Sequence, residues 1–167
     1  LWGVVHGCHA FVPRLRAQGS GHVLNVASAA GFASAPFMGA YSASKAAVVS
    51  LSETLAGELQ GTGIGVTALC PTFFKTDIGK SARGASDFQA FFDKVLDSGS
   101  LSALDVARLA LHGVERGELF VMPQADARWG WRVKRLLPGR FHRLLRHAFT
   151  FRAKQLGLPP GLFDGRR

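Results

Sequence analysis

The sequence predicts an α/β fold in which short buried strands alternate with longer helices, and three observations point there. Two runs, 21–28 (Gly-His-Val-Leu-Asn-Val-Ala-Ser) and 65–71 (Gly-Val-Thr-Ala-Leu-Cys-Pro), are nearly continuous in small and apolar residues. That is the pattern of strands in a parallel sheet covered on both faces. Between them, Val48, Leu51, Leu55 and Leu59 recur at helical spacing. Hydrophobic residues make up 47% of the 167, enough for a real core and unlike a disordered chain.

Taken in order, residues 1–17 read as a helix, apolar nearly all round and therefore largely buried. The helix starts without an initiator Met, an N-cap residue or a signal peptide. A strand over 21–28 ends at Ser28 in a small-residue turn, and a loop through Pro36 and Gly39 leads into a helix over 40–60. Gly61-Thr-Gly-Ile-Gly65 looks like the start of a phosphate loop, but it follows a helix and precedes a strand. A phosphate loop needs the reverse order, so these glycines are expected to end the helix and turn the chain at positive φ. The strand over 65–71 is closed by Pro71, and a helix over 101–116 carries Ser102 as N-cap with Asp105 three residues on. A last short strand spans 117–123.

Tyr41 and Lys45 in Ala40-Tyr-Ser-Ala-Ser-Lys-Ala-Ala lie one turn apart on one helix face. An ammonium held roughly 6 Å from a phenol favours the phenolate. A tyrosine so placed can exchange a proton with an alcohol or ketone near neutral pH. Ser28, arriving from the end of a neighbouring strand, could hold the substrate oxygen against it. A Tyr-x-x-x-Lys pair by itself is common on helix surfaces; the flanking strands and turns make it informative.

The ordered set Asn25, Ser28, Tyr41, Lys45, Pro71 and Thr76 resembles the short-chain dehydrogenase/reductase family, over residues 1–123. The resemblance implies the C-terminal part of a Rossmann-type doubly wound parallel sheet. It also implies hydride transfer between NAD or NADP and a ketone or secondary alcohol. On this resemblance Tyr41 is the general acid or base, Lys45 acts on Tyr41 and on the nicotinamide ribose, and Ser28 steadies the substrate. Tyr41, Lys45, Pro71, Thr72, Phe74 and Thr76 are the implied cofactor contacts, with no metal. The family has glycine after that proline, whereas this chain has Thr72, whose β-branch restricts backbone approach. The family's glycine-rich pyrophosphate cradle is expected upstream of Leu1, so the chain reads as the C-terminal portion of a dehydrogenase. The alternative is an inactive truncated module acting only through a partner or a membrane.

Residues 72–99 hold Phe73, Phe74, Phe88, Phe91 and Phe92. By resemblance they form a flap over the nicotinamide and an apolar substrate, although these rings could equally pack the flap onto the body. The family also implies a homo-oligomer in the full-length parent.

Charge divides the chain differently from the motifs. Residues 125–167 contain eleven Lys/Arg against two Asp/Glu, net +9, while residues 1–124 contain nine of each and are neutral. We therefore expect a partial Rossmann-like catalytic domain over 1–124 and a basic amphipathic helical extension over 125–167. In that extension 140–155 reads as a helix with Phe141, Leu144, Leu145, Ala148 and Phe149 as one stripe, and Arg140, Arg143, His147 and Lys154 opposite. Three readings stay open: a helix packed on the body with solvated arginines, an anionic membrane surface or another subunit, and nucleic acid. Nucleic acid is disfavoured because the aromatics do not interleave with the charges. No apolar run reaches the roughly 18 residues that span a bilayer, and Cys8 and Cys70 suit buried free thiols of a reducing compartment. A cytoplasmic protein, with peripheral membrane contact as an option, is the expectation. His6, Cys8 and His9 do not share one helix face and read as no metal site.

Overall fold

The computed structural model describes residues 1–36, 38–76 and 93–157. The elements run α1 (Trp2–Gln18), β1 (Gly21–Val26), α2 (Ala30–Ala33), α3 (Gly39–Glu58), β2 (Ile64–Leu69), α4 (Ala103–Glu115), β3 (Phe120–Val121), α5 (Ala125–Leu136) and α6 (Pro138–Gln155). The chain forms two compact units, Leu1–Thr72 with Ala107–Trp131, and Phe73–Val106 with Arg132–Arg167. This division follows different lines from the charge boundary at residue 125.

The first unit is built on a parallel three-stranded sheet in the order β1-β2-β3. β1 and β2 pair in register from Gly21 with Ile64 to Val26 with Leu69. Helices α1 and α3 pack on one face of the sheet, where Cys8, Leu55, Leu59, Ile64 and Val66 form a buried cluster with Val4, Val12, Leu15 and Val23 around it. A second cluster, Ala27, Val48, Ala68 and Cys70, lies towards the C-terminal ends of the strands. The buried Asn25 amide bonds Ser52 Oγ at 3.0 Å and touches Cys8 Sγ, which ties β1 to both helices.

Two expectations of burial need correction. α1 buries only the side that bears Cys8, while Trp2 is 70% and Phe11 58% exposed. β1 is covered on the face that carries Val23 and Asn25, yet Val26 on the opposite face is 53% exposed. Among the described residues β1 is also the outer strand of the sheet, with pairing on one edge only.

The turn after α3 behaves as the sequence predicts, with Gly61 at φ 80° and Gly63 at φ 77°. A Cβ on Gly63 would also fall 2.5 Å from the Gly19 carbonyl oxygen, so this glycine lets the turns before β1 and β2 touch. Against β3, Gly113 of α4 lies so close to Val121 that a side chain there would overlap it. Across the sheet, Thr67 Oγ1 donates to the Glu118 carbonyl at 2.6 Å and accepts from His22 Nε2 at 2.8 Å.

In the second unit, Val95 and Ala153 are buried together, with Phe73, Phe149 and Leu156 packed against them. Phe73 therefore packs its own unit, whereas Phe88, Phe91 and Phe92 lie outside the described residues. α4 opens with a reciprocal cap, in which Ser102 Oγ accepts from Asp105 N–H at 3.2 Å and Asp105 Oδ2 accepts from Ser102 N–H at 2.9 Å. α6 starts at Pro138, two residues before the expected start, and α5 was not legible as a helix at all. The expected apolar stripe of α6 is also corrected. Phe141 and Ala153 are buried with Leu145 and Phe149 half-buried along the same side, while Leu144 and Ala148 face solvent. Four-residue steps from 141 to 153 give the straighter row along an α-helix.

Candidate active site

Ser28 lies two residues beyond β1 and is buried. Its Oγ accepts the Ala30 backbone N–H at 3.1 Å, fixing the first turn of α2. A hydroxyl that accepts there keeps its own proton to donate, and among the described residues that proton has no acceptor. Tyr41 is the third residue of α3 and half-buried. Ser44 Oγ donates to its main-chain carbonyl at 2.7 Å, while its phenol hydroxyl has no hydrogen-bond partner among the described residues.

One turn on, Lys45 Nζ stands 5.8 Å from the centroid of the Tyr41 ring. The same ammonium donates to the Val26 carbonyl at 2.9 Å, at the end of the strand that delivers Ser28. Lys45 thus links the tyrosine helix to the serine strand. Gly31 makes this approach feasible, because a Cβ there would lie 2.8 Å from the Lys45 carbonyl oxygen. Burial pulls the Lys45 ammonium below its ordinary 10.5, and Cys70 partly opposes the shift.

Cys70, fully buried just past β2, is pushed up to about 12, first by burial and further by Glu53; the Ser28 N–H and the Lys45 ammonium counter it. It is therefore a neutral thiol packed under the Ser28–Lys45 end of the sheet. Sequence reading recognised Cys70 as buried but not its nearness to the site. The only available signal was that it follows β2 just as Ala27 follows β1.

The implied cofactor contacts after β2 divide between the two units. Pro71 and Thr72 belong to the first; Phe74 and Thr76 belong to the second. Pro71 is buried and its carbonyl accepts the Ala29 N–H at 2.9 Å, joining the turn after β1 to the segment after β2. Thr72 uses its polar groups within the chain: its N–H reaches Gln124 Oε1 at 3.0 Å and its Oγ1 donates to Asp126 Oδ1 at 2.9 Å. The β-branched residue in place of glycine therefore has a partner of its own at the start of α5, which sequence reasoning did not find. Phe74 is half-buried and Thr76 exposed, while Lys75 N–H donates to the Leu101 carbonyl at 3.2 Å. Among the described residues no group of three or more His, Cys, Asp or Glu could hold a metal ion. No helix among them is long and apolar enough to cross a membrane.

The sequence pattern of the family described as short chain dehydrogenase matches residues 1–87, more than half of the chain. The chain belongs to the short-chain dehydrogenase family. As a short-chain dehydrogenase it is 35% identical over 150 residues to the Mycobacterium tuberculosis protein named "Probable oxidoreductase EphD", covering 83% of this chain and 25% of that one. It is 31% identical over 144 residues to estradiol 17-beta-dehydrogenase 11 of Homo sapiens, covering 84% of this chain and 44% of the relative. The crystal structure of a short-chain dehydrogenase/reductase from Burkholderia phymatum in complex with NAD superposes with a TM-score of 0.70 at 29% identity. The superposition covers 96% of this chain and 57% of that one. The Rossmann-type parallel α/β fold is thereby established. The chain spans a quarter to somewhat under half of the length of these two relatives.

Proposed function

We propose that the protein carrying this chain transfers a hydride between NAD or NADP and an apolar ketone or secondary alcohol, with Tyr41, Lys45 and Ser28 as its proton-handling residues. The observation that supports this best is the double engagement of Lys45, beside the Tyr41 ring and bonded to the end of the Ser28 strand. In carbonyl reduction the Tyr41 hydroxyl donates its proton to the substrate oxygen; in alcohol oxidation the phenolate takes it back. The Lys45 ammonium stands beside the Tyr41 ring, and the Ser28 hydroxyl, with its proton unspent, holds the same oxygen by a hydrogen bond.

The donor set also fits a nicotinamide nucleotide. An ammonium has three donors, and among the described residues Lys45 commits one of them, to Val26. Two remain for a diol such as the nicotinamide ribose. When bound, the nicotinamide supplies or takes the hydride. The NAD complex of the Burkholderia structure and the steroid named for the human relative support the cofactor and the apolar substrate class.

The test is Tyr41→Phe in the full-length protein. Turnover should fall by about 10²–10⁴-fold, the usual worth of a positioned general acid, with nucleotide binding, read by nicotinamide fluorescence, retained. Undiminished turnover would refute the role of Tyr41.

A further inference from the structure

Helix α6 has a second apolar side that its own unit does not cover. The row from Phe141 to Ala153 satisfies the unit's core, with Phe149 and Ala153 against Val95 and Phe73. Beside it, Leu144, Ala148 and Phe151 follow one another at spacings of four and three, one above the next on the helix, and all three are exposed, Leu144 at 49% and Phe151 at 63%. Leu136 at 78% and Leu137 at 46% extend the exposed apolar surface at the joint with α5.

Basic side chains flank this row. Arg140, His147 and Lys154 repeat at seven-residue steps along its edge, with Arg143 next to them. Among the described residues none of these four side chains has a hydrogen-bond or ion-pair partner. Other basic groups are already engaged: Arg152 donates to Ser98 Oγ at 2.8 Å and Arg128 to the Met122 carbonyl at 2.7 Å. From residue 127 to 163 there are nine Lys/Arg and no Asp/Glu, so no neighbouring carboxylate in sequence competes for the charge.

We propose that this face of α6 docks on an anionic membrane surface, with Leu144 and Phe151 entering the headgroup–acyl boundary and Arg140, Arg143 and Lys154 meeting lipid phosphates and carboxylates. An exposed apolar row bordered by arginines and a lysine without partners is the signature of an interfacial helix. Phosphate-rich nucleic acid would match the cations but give Leu144 nothing to bury. The binding needs no step of the oxidoreductase reaction and stands apart from it.

The test is co-sedimentation of the full chain with vesicles of phosphatidylcholine alone and of phosphatidylcholine mixed with phosphatidylserine. We expect binding to the anionic vesicles only, weakened by salt as the charges are screened. Neutralising Arg140, Arg143 and Lys154 to Gln should each lower affinity about fivefold, the worth of one basic residue near such a surface. The double variant Leu144→Gln/Phe151→Gln should release the chain as well, and since both positions are exposed its circular dichroism should match that of the parent. Absence of binding, or equal binding to neutral vesicles, overturns the proposal. So does a double variant that binds like the parent, or tighter binding to a duplex oligonucleotide.

Discussion

A neutral imidazole is built into the sheet at His22. Thr67 spends its single proton on the Glu118 carbonyl, so it can only accept from His22, whose proton must sit on Nε2. Burial lowers the His22 pKa below its ordinary 6.5. A histidine that titrates lower when folded than when unfolded contributes stability above its unfolded pKa and loses it as pH falls through the folded value. Denaturant titrations should therefore show stability declining as the pH drops below about 6.5, and His22→Gln should flatten that part of the curve. An identical decline in the variant would assign the acid sensitivity elsewhere. At this scale the sequence revealed pairs set by local geometry and little else. Tyr41 and Lys45 are a helical turn apart whatever surrounds them, so their pairing was legible. Lys45 with Val26, Thr72 with Asp126 and His22 with Thr67 join residues 19 to 54 positions apart, and only folding reveals them.

Elements were legible where the local chemistry agreed with the global fold. The Ser102–Asp105 cap starts α4 as its residues dictate, and Ser102→Ala should cost about 1 kcal/mol, read as a lower denaturation midpoint with an unchanged slope. The pair of glycines before β2 permits a sharper comparison. Gly61 and Gly63 share a left-handed backbone, yet a Cβ at 61 meets open space and one at 63 meets the Gly19 carbonyl. Gly61→Ala should therefore cost only the left-handed strain, about 1–2 kcal/mol, and Gly63→Ala clearly more; equal losses would show that the close approach does not matter. α5 escaped sequence reading because Trp129-Gly-Trp131 and the arginines around it break any simple apolar stripe. α1 was over-read for the opposite reason. Its composition is apolar nearly throughout, but one side packs on this sheet and the other does not. Composition alone does not tell which faces find a neighbour.

For the molecule as a whole, the parallel sheet and its flanking helices were legible from two apolar runs and the helix between them, because buried parallel strands have few sequence solutions. The strand order, the outer position of β1 among the described residues and the division into two compact units were not, since each depends on contacts distant in sequence. Charge follows a third pattern, neutral over 1–124 and strongly basic beyond. The chain's two cysteines are both free and buried, Cys8 8% and Cys70 0% exposed, and they sit in different clusters of the same unit. A disulfide-exchange dye added to the native protein should stay colourless, then release two equivalents of chromophore as denaturant opens the first unit. Immediate colour would mean that this interior breathes. The sulfur atoms thus act as a built-in clock for the opening of the sheet, one that needs neither substrate nor nucleotide to be read.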